Sequence, residues 1–94
     1  MQIEYDPRKR DQTLALRGID MADAALVIGG RCVTVHDDRF DYNEPRLMTV
    51  GFLGQRMMMV VWTPRGDICR VISMRKANDR EIARYEPVFG AADG

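Results

Sequence analysis

Charged side chains that could act together on a phosphodiester are spread along the chain. Glu44 lies in a polar stretch next to a predicted strand, so it would present a carboxylate beside a sheet. A carboxylate there could accept the proton of an attacking ribose 2′-hydroxyl. Basic groups around it could stabilise the charge that builds on the phosphate in the transition state, with no need for a metal ion or a cysteine. The basic residues that could complete such a site are Lys9, Arg46, Arg65, Arg75 and Lys76.

These charges also have simpler interpretations. They could be solvated surface groups, since exposed ion pairs contribute only about 0–1 kcal/mol each. A metal-dependent nuclease is another alternative, because Asp37, Asp38 and Asp41 could bind a hard cation. Their spacing within one charged loop is more simply explained by solvation. A structural zinc site does not fit, since it needs four clustered ligands and the chain has two distant cysteines and one histidine.

Residues 60–86 carry the clearest structural signals in the chain. The β-branched and aromatic residues 60–63 favour a strand. Residues 64–67 have the composition of a turn, and residues 68–74 then form the second strand of a hairpin. We expect Trp62, in the first of these strands, to lie in the core rather than to stack on a base.

The second strand of this hairpin contains two arginines, Arg70 and Arg75. Strict alternation of side chains would put them on opposite faces of the sheet. One of them must then lie close to the core or in a cleft. Because arginine stays charged in either place, a carboxylate, a phosphate or water must match it.

A helix is predicted to follow the hairpin. Asn78 can serve as its N-cap, and Glu81 lies where it completes a capping box. The helix should end before Pro87, because proline removes a backbone donor and clashes with the preceding turn. Residues 89–94 are therefore expected to be frayed, and the folded core to cover about residues 3–86.

The remaining predicted elements complete an α+β domain with an antiparallel sheet, two N-terminal helices and one C-terminal helix. A short strand at residues 2–5 precedes a helix that Asp6 caps and Gly18 ends. Asp20 caps a second helix, which ends at Gly29-Gly30. A four-stranded antiparallel meander follows, with strands at residues 31–36, 46–53, 56–63 and 68–74.

Length and composition describe one soluble domain, residues 1–94. The 14 basic and 14 acidic residues give a formal charge of zero, which argues against a protein that coats nucleic acid without specificity. No apolar run approaches the roughly 18 residues that span a bilayer, and the N-terminus lacks the pattern of a signal peptide. We therefore expect a cytoplasmic protein that does not bind membranes.

The order of short motifs along the chain resembles the BrnT family, the toxin half of a two-gene toxin–antitoxin system. The most specific segment is the arginine-rich one at the end of the hairpin. The motifs that carry the resemblance are Tyr5-Asp6-Pro7-x-Lys9, Gly18-Ile19-x-Met21-x-x-Ala24, Tyr42-Asn43-Glu44-Pro45-Arg46, Gly51, Val60-Val61-Trp62-Thr63-Pro64-Arg65-Gly66, and Arg70-Val71-Ile72-Ser73-Met74-Arg75-Lys76-Ala77-Asn78 with Glu81 and Tyr85.

The resemblance implies a compact RelE-like fold, with helices packed against an antiparallel sheet. It implies a metal-independent endoribonuclease that inhibits translation and growth by cutting RNA and needs no cofactor. It also implies neutralisation by a cognate BrnA-type antitoxin in a hetero-oligomer. Operator DNA would be bound only through that antitoxin complex.

The resemblance also implies which residues form the active site. When the family's site is carried over position by position, the resemblance assigns Lys9, Arg65 and Arg75 to phosphate binding and to stabilisation of the transition-state charge. Glu44 becomes the candidate general base. Further contacts with RNA phosphates are expected from Arg17, Arg46, Arg70 and Lys76.

The chain departs from the family pattern after its first helix. The family commonly has Asn and then Lys-His-Gly there, whereas this sequence has Thr13 and then Leu16-Arg17-Gly18. A missing histidine could mean a missing proton donor. The alternative is therefore a catalytically impaired homologue that acts as an antitoxin-binding and operon-autoregulation module.

Overall fold

The computed structural model describes residues 2–38 and 43–93. Within them the chain forms five strands, three α-helices and one 3₁₀ turn. None of these helices combines the length and the apolar character needed to cross a bilayer. The elements are β1 (Gln2–Glu4), α1 (Pro7–Arg17), the 3₁₀ turn (Met21–Asp23), α2 (Ala24–Gly29), β2 (Val33–His36), β3 (Leu47–Leu53), β4 (Arg56–Arg65), β5 (Ile68–Lys76) and α3 (Asp79–Asp93).

The five strands form one sheet in the order β1-β5-β4-β3-β2. Strands β2 to β5 are the predicted antiparallel meander. The prediction of a wholly antiparallel sheet is wrong, because β1 runs parallel to β5 and pairs Ile3 with Cys69. Sequence alternation identifies a strand but not the direction of a partner more than 60 residues away. The fold is thus α+β with a mixed sheet.

Helices cover both faces of the sheet and enclose two clusters of buried side chains. The first cluster lies under the 3₁₀ turn and α2 and includes Met58 and Val60 of β4, with the half-buried Trp62 packed against it. The second lies under α3 and includes Met57 and Met59 from the same strand. The indole Nε1 of Trp62 donates to Thr49 Oγ1 at 2.8 Å, so this ring, predicted to be a core residue, lies half-buried at the margin of the core rather than fully inside it.

The N-terminal helix begins and ends as predicted. The Asp6 side chain accepts the Arg8 backbone N–H at 2.9 Å, and Gly18 closes the helix in the left-handed conformation at φ 67°. Asp20 caps the single 3₁₀ turn rather than an α-helix, by accepting the Ala22 N–H at 3.0 Å. This turn buries Met21 completely before α2 starts.

Asp20 also joins this turn to α1, since its two carboxylate oxygens accept from Arg10 at 3.0 and 2.8 Å. These hydrogen bonds, with that from Ala22, lower the Asp20 pKa from 3.8 to about 2. The contribution of Asp20 to stability is therefore complete above about pH 4 and is lost as the pH falls toward 2. As the pH falls from 4 to 2, we expect the melting temperature of Asp20→Asn to fall less than that of the wild type.

Thermal melts followed by circular dichroism at pH 2, 3, 4 and 6 would measure this effect. The matched control is Asp67→Asn, because Asp67 lies exposed in the turn between β4 and β5. If Asp20→Asn and the wild type have the same pH profile, the Arg10 contact does not contribute to acid stability.

The hairpin between β4 and β5 is longer than predicted. Both strands extend outward until only Gly66 and Asp67 form the turn, and Pro64 pairs with Cys69 inside the ladder. A two-residue hairpin loop favours a residue with positive φ, and Gly66 supplies it at φ 59°. This extension carries Arg65 to the far end of the sheet.

The C-terminal helix was predicted to stop before Pro87, and this prediction is wrong. Helix α3 continues to Asp93 with Pro87 inside it. Tyr85 and Phe89 are four residues apart, so both point to the second cluster, where they are 9% and 5% exposed. The Phe89 ring packs edge-on against Phe52 with centroids 4.8 Å apart. Burial of this ring offsets the cost of an internal proline, and Phe89 is not part of a frayed tail.

Candidate functional site

A β-bulge in β5 decides where its two arginines lie. Val61 pairs with Ser73, but the next residue, Trp62, pairs with Val71, so Ile72 is left over. One extra residue reverses the alternation beyond it. The prediction that Arg70 and Arg75 lie on opposite faces is therefore wrong.

Both arginines lie on the face that α3 covers in part. The residues between and beside them, Cys69, Val71 and Met74, all belong to the first cluster on the other face. Arg65 lies on the same side, because it is an even number of residues away from Met59 and Met57 in β4. Both of these methionines face the second cluster. We call the sheet face that carries Arg65, Arg70 and Arg75 the arginine face.

Arg75 is paired with Glu81, which belongs to the capping box at the start of α3. Its two guanidinium nitrogens donate to the carboxylate oxygens of Glu81 at 2.6 and 2.7 Å. Glu81 also accepts the Asn78 N–H at 2.9 Å, and Asn78 Oδ1 accepts the Glu81 N–H at 2.8 Å, which confirms the predicted capping box. The start of α3 thereby fixes the guanidinium in a bidentate geometry.

The other two arginines of this face are also matched by glutamates. Arg70 donates to Glu4 of β1 at 2.9 Å, and Arg65 lies 3.7 Å from Glu44. The expectation that a carboxylate, a phosphate or water matches a half-buried arginine is met by carboxylates. A phosphate that binds here must compete with a glutamate at each position. The pairing of each arginine with a glutamate also explains how an arginine-lined face exists in a chain without net charge.

The segment that carries Glu44 is fixed to the same face. Thr63 is 1% exposed, and its hydroxyl donates to the Pro45 carbonyl at 2.6 Å. The Arg46 carbonyl accepts the Asp37 N–H at 2.8 Å, which ties the end of this segment to the end of β2. Tyr42 of the family motif lies outside the described residues.

The structure does not bring all four predicted catalytic residues together. Arg75 pairs with Met59, and Arg65 lies six residues further along β4, which corresponds to about 20 Å at about 3.3 Å per residue. Arg70 lies between them, opposite Thr63. Glu44 is therefore close to Arg65 and distant from Arg75.

Lys9 lies away from the arginine face, beside the outer edge of β5. Its Nζ donates to the carbonyl of Ile72, the bulge residue, at 2.8 Å. With Arg17 it lines a cleft of about 220 Å³ between α1 and β5. Lys76 pairs with Met58, whose side chain faces the first cluster, so it too lies away from the arginine face.

Sequence reasoning missed a cavity of about 330 Å³ beside Arg75. Its apolar floor comes from the sheet and its polar rim from α3, where the Arg84 guanidinium lies 5.6 Å from the Tyr85 ring centre. The signal that could have revealed it is the spacing of Glu81, Arg84 and Tyr85, since residues three and four apart share one face of a helix. The cavity is lined by Val35, His36, Asp37, Asp38, Met48, Met59, Arg75, Glu81, Arg84 and Tyr85.

His36 is exposed at the end of β2, where it pairs with Leu47. Thr34, two residues earlier, bonds to Thr49 on the side of the first cluster. By alternation the imidazole points to that side, although His36 also borders the cavity beside Arg75 where β2 ends.

Residues 2–38 and 43–93 contain no group of three or more His, Cys, Asp or Glu side chains arranged to hold a metal ion. Of the acidic residues considered for a metal, Asp37 is buried at 6% exposure, and Asp41 lies outside the described residues. The two thiols are free, and burial raises the pKa of Cys69 to about 11, so this thiol is a poor nucleophile.

Comparison with known proteins identifies the family. A family model described as the ribonuclease toxin BrnT of type II toxin–antitoxin systems matches residues 5–81, which is more than half of the chain. The matched region runs from the start of α1 to Glu81 and includes the whole arginine face. No curated protein matches the chain. The chain belongs to the BrnT family, the ribonuclease toxins of type II toxin–antitoxin systems.

Proposed function

We propose that this toxin cleaves RNA as a metal-independent endoribonuclease, with its substrate bound along the arginine face. The observation that carries the proposal is the row of guanidiniums at Arg65, Arg70 and Arg75. Glutamates accept hydrogen bonds from Arg70 and Arg75, and Glu44 lies 3.7 Å from Arg65. Arginine presents paired donors that match phosphate oxygens, and a rigid carboxylate partner fixes the direction of those donors. Arg46 adds a further positive charge at the end of the face next to Thr63.

In this proposal Glu44 is the general base. Its side chain is 37% exposed, so a ribose 2′-hydroxyl can reach the carboxylate. Arg65, 3.7 Å away, would stabilise the charge that develops on the phosphate once Glu44 has taken the proton. The distance of about 20 Å between Arg75 and this pair assigns Arg75 to another phosphate of the same strand, a few nucleotides away.

Lys9, Arg17 and Lys76 have a different role in the proposal, since they lie away from the arginine face. They would contact the RNA backbone where the strand leaves the arginine face. Such contacts add affinity that depends on salt but no base specificity.

The test is cleavage of a defined single-stranded RNA by the purified toxin in EDTA. Glu44→Gln keeps the size of the side chain and removes the base, and general-base catalysis typically contributes about 10²–10⁴ in rate. We expect cleavage to persist in EDTA, to leave 2′,3′-cyclic phosphate ends, and to fall by that factor in Glu44→Gln. The matched control is Glu86→Gln, an exposed glutamate of α3.

Three results would contradict the proposal. Activity lost in EDTA and restored by Mg²⁺ would make the enzyme metal-dependent. A Glu44→Gln variant as active as Glu86→Gln would remove Glu44 from catalysis. No cleavage by the folded wild type would favour the impaired homologue that the change at Leu16-Arg17 suggested.

The family implies an antitoxin partner, and we propose that it is of the BrnA type. It would neutralise the toxin in a hetero-oligomer, and operator DNA would be contacted only by that complex. Growth arrest on expression of the toxin alone, with relief on co-expression of the neighbouring gene, would support this part of the proposal.

A further inference from the structure

Most of the outer edge of β5 has no neighbouring strand among the described residues. Strand β1 pairs only with residues 68–70, so the edge of residues 71–76 continues beyond it. Alternate residues of such an edge direct their backbone N–H and C=O groups outward, where they can pair with another chain. One of these carbonyls, that of Ile72, accepts the Lys9 ammonium.

Helix α1 runs beside this edge and leaves the cleft of about 220 Å³ between them. Lys9, Leu16 and Arg17 line it from the helix at spacings of seven and eight residues, which lie on one helical face. Leu16 is 84% exposed, the largest value among the large hydrophobic side chains described as exposed. The cleft therefore combines a backbone edge, an apolar contact and two cations.

Charge distinguishes this edge from the other edge of the sheet. Among the described residues, those that line the β5 cleft include Lys9 and Arg17 and no carboxylate. The opposite edge, β2, is four residues long and leads directly into Asp37 and Asp38. An acidic segment would be attracted to the edge of β5 and repelled from that of β2.

We propose that an extended, acidic segment of the antitoxin adds as a strand to the outer edge of β5, in the cleft beside α1. The choice of an antitoxin as the partner in this inference rests on the proposed function. Strand addition supplies main-chain hydrogen bonds, and alternate side chains of the added segment can contact Leu16 and the two cations. RNA fits the cleft less well, since it offers no peptide groups to pair with the edge.

Strand addition here would also provide a route to neutralisation. A carboxylate of the added segment can form an ion pair with the Lys9 ammonium, which then no longer donates to the Ile72 carbonyl. Lys9 and Arg17 would then no longer be available to the RNA backbone, although the arginine face itself stays open.

The first experiment compares Leu16→Glu with Leu26→Glu, using the purified product of the neighbouring gene as the probe. Leu26 is the matched control, since it is 63% exposed on α2 and lies outside the cleft. Leu16→Glu places a negative charge next to the acidic segment, and loss of one central contact typically weakens binding by about tenfold or more. We expect that loss for Leu16→Glu and a change below about twofold for Leu26→Glu.

The second experiment is hydrogen exchange of the toxin with and without the same probe. Backbone amides within residues 71–76 should exchange more slowly in the complex, while those of β2 should not change. Slower exchange at β2 only, or equal binding by Leu16→Glu and Leu26→Glu, would overturn the inference. So would loss of RNA binding in Leu16→Glu with unchanged antitoxin binding, which would make the cleft an RNA site.

RNA cleavage by the free toxin is measured separately, so the two proposals fail in different ways. An antitoxin that protects residues 71–76 of an inactive toxin would support the docking site and contradict the nuclease. An active toxin that is neutralised without protection of these residues would contradict the docking site alone.

Discussion

Replacing Arg75 with alanine should weaken RNA binding by about 10- to 100-fold, the usual range when a hydrogen-bonded contact to a charged group is lost. Arg75 is the most firmly held cation of the arginine face, with two hydrogen bonds to Glu81 at 2.6 and 2.7 Å. A donor held in this way needs little ordering when a phosphate binds to it. Single-turnover cleavage over a range of enzyme concentrations should show a higher half-saturation concentration and a saturating rate close to that of the wild type, because the reacting phosphate beside Glu44 keeps Arg65.

Two variants control for loss of charge and loss of fold. Arg80→Ala removes an exposed arginine from the same helix that Glu81 caps, and should bind RNA about as tightly as the wild type. Arg75→Lys keeps the charge but loses the bidentate geometry, and its affinity for RNA should fall between those of wild type and Arg75→Ala. Circular dichroism would show that all variants are folded. If folded Arg75→Ala binds RNA as tightly as Arg80→Ala, Arg75 serves only to hold α3.

Replacing Phe89 with alanine should lower the free energy of unfolding by about 3–5 kcal/mol, the range for loss of a buried phenyl ring. Phe89 is 5% exposed, packs against Phe52, and has the Arg31 guanidinium 5.3 Å from its ring centre. For a domain of this size such a loss is a large part of the total stability. Urea unfolding followed by tryptophan fluorescence would measure it.

Val88→Ala is the matched control, because Val88 is the preceding residue of α3 and is 46% exposed. It should change stability by less than about 0.5 kcal/mol. Equal stability of Phe89→Ala and Val88→Ala would mean that the helix after Pro87 does not pack on the sheet, as the sequence had suggested.

Local sequence was sufficient to predict the elements whose ends are fixed by neighbouring residues. The caps of α1 at Asp6 and Gly18 and the capping box of Asn78 and Glu81 form as predicted, since each depends on hydrogen bonds within four residues. The antiparallel pairing of β3, β4 and β5 was predictable for the same reason, because two-residue turns join these consecutive strands. The motif order also identified the family, which the match to residues 5–81 confirms.

The composition of the candidate site was likewise predicted, but its geometry was not. Arg65, Arg70 and Arg75 were all named from the sequence. Their common face depends on a single unpaired residue, Ile72, and alternation cannot indicate where a ladder skips a residue. The separation of Lys9 from the arginine face was equally invisible, because it depends on the side of the sheet against which α1 packs.

By itself, then, the sequence determined the family, both caps of α1, the capping box of α3 and the meander. Only the tertiary structure decided the parallel pairing of β1 with β5, the continuation of α3 through Pro87, and the glutamate that matches each arginine. The physical reason is the range of the interactions. Caps and turns are set by neighbours in sequence, whereas strand direction, burial of Phe89 and contacts such as Arg70 with Glu4 join residues far apart in the chain.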